Sequence, residues 1–209
     1  MKKLLVIAAS LLIAVSAHAQ FGVVAGMTSS RSNLKGITKD NVMDNVTQYH
    51  VGLTYKFNVL GKALAIQPSI LYNVKGSEYN PFEKGGNDIA AVDFKNGFLE
   101  IPVQLQLRLF GLGDLAHIYA LAEPFVGYAI SSTVTTGSVT EKMEWDNFSD
   151  KLEYGVGVGA GVELIKHVQV SVRYFWNLGG ASNVSWENVK DAVTTKNASG
   201  IMASVALLF

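Results

Sequence analysis

Alternation with a period of two residues, sustained over long stretches and repeated to the end of the chain, constrains this sequence more than any other feature. From Gln48 the chain reads Gln48-Tyr49-His50-Val51-Gly52-Leu53-Thr54-Tyr55-Lys56-Phe57-Asn58. Successive side chains of a strand point to opposite faces. Tyr49, Val51, Leu53, Tyr55 and Phe57 therefore share one face, and His50, Gly52, Thr54 and Lys56 share the other. A helix would scatter both sets around its axis.

The pattern returns along the chain. Leu64, Ile66, Pro68, Ile70, Tyr72 and Val74 oppose Ala65, Gln67, Ser69, Asn73 and Lys75. Leu99, Ile101, Val103, Leu105, Leu107 and Leu109 oppose Glu100, Gln104, Gln106 and Arg108. Leu152 to Leu164 alternates with Glu153, four glycines (155, 157, 159 and 161) and Glu163. Val168 to Leu178 alternates with Gln169, Ser171, Arg173 and Asn177. Strands at 21–29, 116–130 and 198–209 complete a set of eight, most of them 10 to 13 residues long. Soluble strands average about 5 or 6 residues, whereas tilted membrane-crossing strands need about 9 to 11.

The connections alternate as well. Short turns are expected at 59–62, 110–115 and 165–167, and long polar loops at 30–46, 76–93, 131–151 and 179–197. Short periplasmic turns alternating with long outer loops characterise outer-membrane barrels. Tyr72, Tyr128, Tyr154, Tyr174 and Trp176 fall near the loop ends of apolar faces, where an interfacial girdle belongs. The fold expected is all-β: a closed antiparallel transmembrane up-and-down barrel of about eight strands, over residues 20–209. An even strand number places both termini on the periplasmic side. A soluble lipocalin-like barrel would reverse every face, and alternation alone permits either hand.

The start of the chain supplies an address. Met1-Lys2-Lys3, an apolar run from Leu4 to Val15 and Ala17-His18-Ala19 form the basic, apolar and small-x-small parts of a secretory signal peptide, with cleavage expected after Ala19. The apolar run is about 12 residues, short of the ~20 a spanning helix needs. Lys plus Arg (17) equals Asp plus Glu (17), so no basic excess points to nucleic acid. The absence of cysteine removes disulfide, thiolate-metal and thiol-nucleophile chemistry. A mean hydropathy of +0.24 leaves apolar surface to be placed, and lipid is the expected partner. At the other end Val205, Leu207 and Phe209 share a face and the aromatic is terminal, resembling the signal read by the barrel-assembly machinery.

Three segments resemble the Bacteroidetes outer-membrane β-barrel domain family, labelled PorT-like or porin family. Phe98-Leu99-Glu100-Ile101-Pro102-Val103-Gln104-Leu105 resembles its Leu-Glu-Ile-Pro strand. Ala122-Glu123-Pro124-Phe125-Val126-Gly127-Tyr128 is similar to its Ala-Gly-Pro-Tyr-x-Gly-Tyr strand, with Glu123 where glycine is usual. Residues 154–163, followed by Val172-Arg173-Tyr174, resemble its last Gly-rich hairpin. The resemblance implies the fold and the outer membrane, and no activity.

Motif chemistry is sparse. The glycines at 155, 157, 159 and 161 follow period two, and G-x-G-x-x-G would need glycine where Ala160 stands. They are read as room for large side chains from facing strands. His50, His117 and His167 lie on separate segments without a zinc spacing, and no nucleophile elbow is present. No cofactor, metal or catalytic residue is therefore assigned.

The lumen-facing set is more informative. Lys56, Glu100, Arg108, Glu123, Glu163, Arg173 and His50 all take inward parity, with Glu123 and Arg173 at similar depth and Glu100 and His50 nearer the loops. An unpaired charge in a narrow lumen is costly, so an ionic network is expected. Eight strands leave an interior that side chains fill, and Leu71, Leu121, Phe125 and Phe175 add bulk. A plug is favoured over a selectivity constriction. The function expected is a non-enzymatic structural or surface-interaction barrel; porin-like passage of small solutes and an outer-membrane enzyme are the alternatives. Glu141, Lys142, Trp145, Phe148 and Trp186 in the loops offer a surface for an extracellular ligand.

Overall fold

The computed structural model describes residues 19–31, 43–60, 63–79, 92–113, 115–136, 139–142, 151–180 and 199–209. Nine strands occupy them: β1 (Ala19–Arg31), β2 (Met43–Leu60), β3 (Leu64–Tyr79), β4 (Val92–Leu112), β5 (Ala116–Thr136), β6 (Val139–Lys142), β7 (Leu152–Leu164), β8 (Val168–Gly180) and β9 (Ser199–Leu208). Eight of them form a meander in which each strand pairs antiparallel with its sequence neighbours, β5 with β4 and β7. Pairing of β1 with β9 closes the sheet. β6 is a short addition that folds back on the upper end of β5.

The registers define the closure. From Tyr128 the pairing runs through Leu99, Tyr72, Val51, Ala25, Val205, Val170 and Val162, and returns to β5 at Ile118. The return is 128 − 118 = 10 residues lower, a shear of ten for eight strands. Such a stagger tilts the strands and leaves an interior that side chains fill.

Side-chain parity settles which face meets which medium. Val23, Val51, Leu53, Ile70, Leu99, Ile101, Leu105, Val158, Val172, Ile201 and Val205 are exposed on the outside. Thr28, His50, Lys56, Asn73, Lys75, Glu100, Glu123, Glu153, Glu163 and Arg173 are buried inside. A barrel in water would do the reverse, so the outer band belongs in lipid. Tyr49, Tyr72, Tyr128, Tyr154, Tyr174 and Trp176 ring the loop end of that band, with Tyr174 and Trp176 in edge contact at 4.7 Å. Phe21, Tyr55, Phe57, Phe110 and Phe209 ring the turn end, a second girdle that alternation alone does not separate from the band.

The strands are longer than the apolar pattern predicts. β2, β3, β4 and β5 continue past the upper girdle into segments expected as loops, and β6 lies inside the expected loop 131–151. Above the membrane the outward face is polar as well, so the apolar contrast fades while hydrogen bonding continues. Lys95, Thr140, Glu141 and Lys142 are exposed there, and Ser132 donates to Asn96 Oδ1 at 2.7 Å. Among the described residues the sheet rises this far only over β2 to β6.

The turns at the other end are tight. Ile165 and Lys166, in the three-residue connection 165–167, have left-handed φ of 45° and 64°, and His167 N donates to Leu164 O at 3.0 Å to close the turn. Their position is tied down: Gln20 Nε2 donates to Lys166 O at 3.0 Å, and Ile165 N donates to Leu115 O at 2.7 Å. The chain end is fastened beside them, with Phe209 N donating to Phe21 O at 2.7 Å.

Candidate functional site

Inward parity on six strands (β2, β3, β4, β5, β7 and β8) brings four cations (Lys56, Lys75, Arg108, Arg173) to four carboxylates (Glu100, Glu123, Glu153, Glu163) in three tiers. In the middle tier Arg173 on β8 meets Glu123 on β5 with Nε to Oε1 at 2.8 Å. Gln104 donates to the other Glu123 oxygen at 2.7 Å. The residue that departs from the resembled Ala-Gly-Pro pattern is thus the carboxylate opposite the buried guanidinium.

A directed chain of hydrogen bonds leads upward from this pair. Arg173 Nη1 donates to Ser204 Oγ at 3.0 Å. The Ser204 hydroxyl is then free to donate to His50 Nε2, 2.8 Å away. With Nε2 an acceptor, the His50 proton sits on Nδ1 and is donated to Thr28 Oγ1 at 2.9 Å. Thr28 donates to Asn73 Oδ1 at 2.8 Å, and Asn73 Nδ2 donates to Glu100 Oε2 at 3.0 Å. Every donor and acceptor is used once, from a cation to a carboxylate. Neutral His50 is the only form that fits this order.

The upper tier is built around Lys75 of β3. Its Nζ lies 2.6 Å from Glu100 Oε1 and 2.7 Å from Glu153 Oε1. Asn177 donates to the second Glu153 oxygen at 2.8 Å. The rings of Phe98, Phe125 and Phe175 surround the ammonium at 5.2, 4.7 and 5.0 Å from their centroids. Phe125 and Phe175 meet edge to face at 6.3 Å.

The lower tier is rich in amides. Lys56 pairs with Glu163, which also accepts from Gln169 at 2.7 Å and faces His117 Nε2 at 3.4 Å. Arg108 Nη2 lies 2.8 Å from His117 Nδ1. Gln106 donates to Gln67 and to Gln104, each at 2.9 Å, and accepts from Gln169 at 3.4 Å. Gln104 thereby joins this tier to the middle one, and the polar contacts run without a break from Lys75 to Arg108.

Of the seven lumen residues singled out in the sequence, Glu123 and Arg173 stand at one depth and in contact. Glu100 and His50 lie above them and reach them through the directed chain. Lys56, Glu163 and Arg108 lie below. Arg108 is only half-buried and belongs to the turn end. Lys75, Glu153, Thr28, Asn73, Ser204, His117 and the glutamines were not assigned to the network by sequence reasoning. Their inward parity was legible, but which of them meet depends on the shear.

The glycines of β7 make room as expected, though the side chains that use it come from flanking strands rather than across the barrel. A Cβ at Gly155 would stand 2.5 Å from the Phe125 ring, and one at Gly161 would run into the Tyr119 ring. Beside Gln67, Ser69, Gln104, Glu123, Arg173 and Ser204 a void of about 10 Å³, measured at the centre of a water molecule, remains. That volume suits about one water. Of the loop residues considered for recognition, Glu141 and Lys142 lie exposed on β6, while Trp145, Phe148 and Trp186 fall outside the described residues.

An eight-stranded, closed, up-and-down barrel with apolar surface outside and an ionic core is an integral outer-membrane barrel. The chain matches the outer membrane protein beta-barrel domain family over residues 13–183 and belongs to it. Among solved structures it is similar to Ail, the attachment invasion locus protein of Yersinia pestis, at 13% identity and TM-score 0.43, covering 92% of this chain and 99% of that one. It is also similar to Neisserial surface protein A at 13% identity and TM-score 0.46, covering 91% and 97%. The N-terminal barrel domain of Pseudomonas aeruginosa OprF aligns at 10% identity and TM-score 0.37, covering 92% and 100%. A comparison with curated protein sequences finds no match.

Proposed function

We propose that this outer-membrane barrel is non-conducting and non-enzymatic, a structural or surface-interaction protein whose lumen is filled by its own side chains. The observation that carries the reading is the unbroken network from Lys75 to Arg108, with space for about one water beside its centre. A pore would need a continuous column of water. Here the ions that would line it are bonded to one another. Both termini lie on the periplasmic side, residues 1–19 are a cleaved signal peptide, and the rising sheet of β2 to β6 stands on the outer side. The motifs at 98–105, 122–128 and 154–163 support a PorT-like affiliation within the family. Outward-facing Val205, Leu207 and Phe209 present the assembly signal to the barrel-assembly machinery, lipid covers the outer band, and an extracellular ligand would meet the loops.

A liposome-swelling assay tests the closed lumen. Proteoliposomes carrying the folded barrel should shrink and recover in arabinose no faster than protein-free liposomes. Swelling in proportion to protein content would support porin-like passage instead.

A further inference from the structure

The surroundings of Lys75 are those of a binding site as much as of a structural ion pair. Two carboxylates, Glu100 and Glu153, and three phenyl rings, Phe98, Phe125 and Phe175, converge on one point from β4, β5, β7 and β8. A monovalent ammonium uses all five groups, because its hydrogens reach the oxygens while its charge meets the ring faces. A simple ion pair would need neither three rings nor a second carboxylate. Glu153 is 2% exposed and accepts from Asn177, and Glu100 accepts from Asn73, so each carboxylate has a partner besides the lysine that fills the cage. The lysine enters from β3, a strand that contributes none of the five cage groups.

We propose that the outer end of the lumen is an ammonium-binding cage and that Lys75 is its built-in occupant, closing the site to primary alkylammonium ligands from outside. Withdrawal of Lys75 exposes a site selective for organic ammonium over alkali cations. Glu123, in the tier below, is committed to Arg173, so it does not compete for the ligand. The inference uses the closed-lumen reading only to place the cage. A conducting wild-type barrel would end that reading and leave the following comparison intact.

The test is chemical rescue of Lys75→Ala in the refolded barrel, with n-butylammonium as probe and potassium at the same ionic strength as control. The variant should unfold at lower temperature than wild type. Butylammonium should restore it saturably, at a concentration about tenfold lower than potassium needs for the same shift. Wild type should show no preference between the two salts. In Lys75→Ala/Glu153→Gln the preference should vanish. If Lys75→Ala does not refold unaided, its refolding yield in butylammonium against potassium, read by heat-modifiable gel mobility, measures the same quantity. Equal response to both salts, or rescue that survives Glu153→Gln, would overturn the proposal.

Discussion

The lumen holds a lysine on carboxylate near each end, and the two are built differently. Lys75 at the outer end shares Glu100 and Glu153 and is enclosed by three rings, with Asn73 and Asn177 behind the carboxylates. Lys56 at the turn end meets one carboxylate, Glu163, that keeps Gln169 and faces His117 whether the lysine is present or not. A dry shell makes a charge pair strong and its loss costly; a shell of amides shares the charge and softens the loss. The outer end is therefore specified by electrostatics and the turn end by a redundant hydrogen-bond net.

That contrast orders the expected effects of mutation. Lys75→Met takes the one shared cation from two buried carboxylates, each left with a single amide donor, and should cost about 3–5 kcal/mol in urea unfolding of the refolded barrel. Lys56→Met leaves Glu163 with its amide partner and should cost about 1–3 kcal/mol. Equal losses would erase the distinction between the ends. Thr28→Val, in the chain between the tiers, leaves the Nδ1 proton of His50 and Oδ1 of Asn73 without partners and should cost about 1–3 kcal/mol. Nitrogen chemical shifts of wild-type His50 should report the neutral Nδ1-protonated ring; an Nε2-protonated ring would reverse the chain's direction.

Two glycines of one strand sharpen the packing side of the comparison. Gly155→Ala drives a methyl into the backbone carbonyl of Trp176 and the ring of Phe125, part of the Lys75 cage, and should cost about 1–3 kcal/mol. Gly157→Ala meets its nearest atom at 3.4 Å and should change unfolding by less than about 1 kcal/mol. One change is a gain: Ile165→Asn relieves a β-branched residue at φ 45° and should raise stability by about 1 kcal/mol, read in the same urea titration.

How much of this was legible in the sequence follows from the same physics. Inside the membrane one face meets lipid and the other meets polar side chains, so Tyr49 to Phe57 and Leu99 to Leu109 declare their strands and their parity together. Above the girdle Lys95, Ser132 and Thr140 stand where that contrast has gone, and the ends of β4 and β5 and the whole of β6 were read as loop. The partnership of Glu123 with Arg173 could be anticipated from depth, because both lie midway between turn and loop on strands that β7 alone separates in the sheet. The Lys75 cage could not. It draws on β3, β4, β5, β7 and β8, and a shear of ten decides which of their inward residues share a level.

Single-channel recording of the refolded barrel in a planar bilayer, with insertion verified by heat-modifiable mobility, tests the filled lumen most directly. Folded, inserted and electrically silent wild type, with openings appearing only when Arg173 and Glu123 are both replaced by serine, is the expected outcome. Stable discrete conductance from wild type would show that the tiers described here leave an open path.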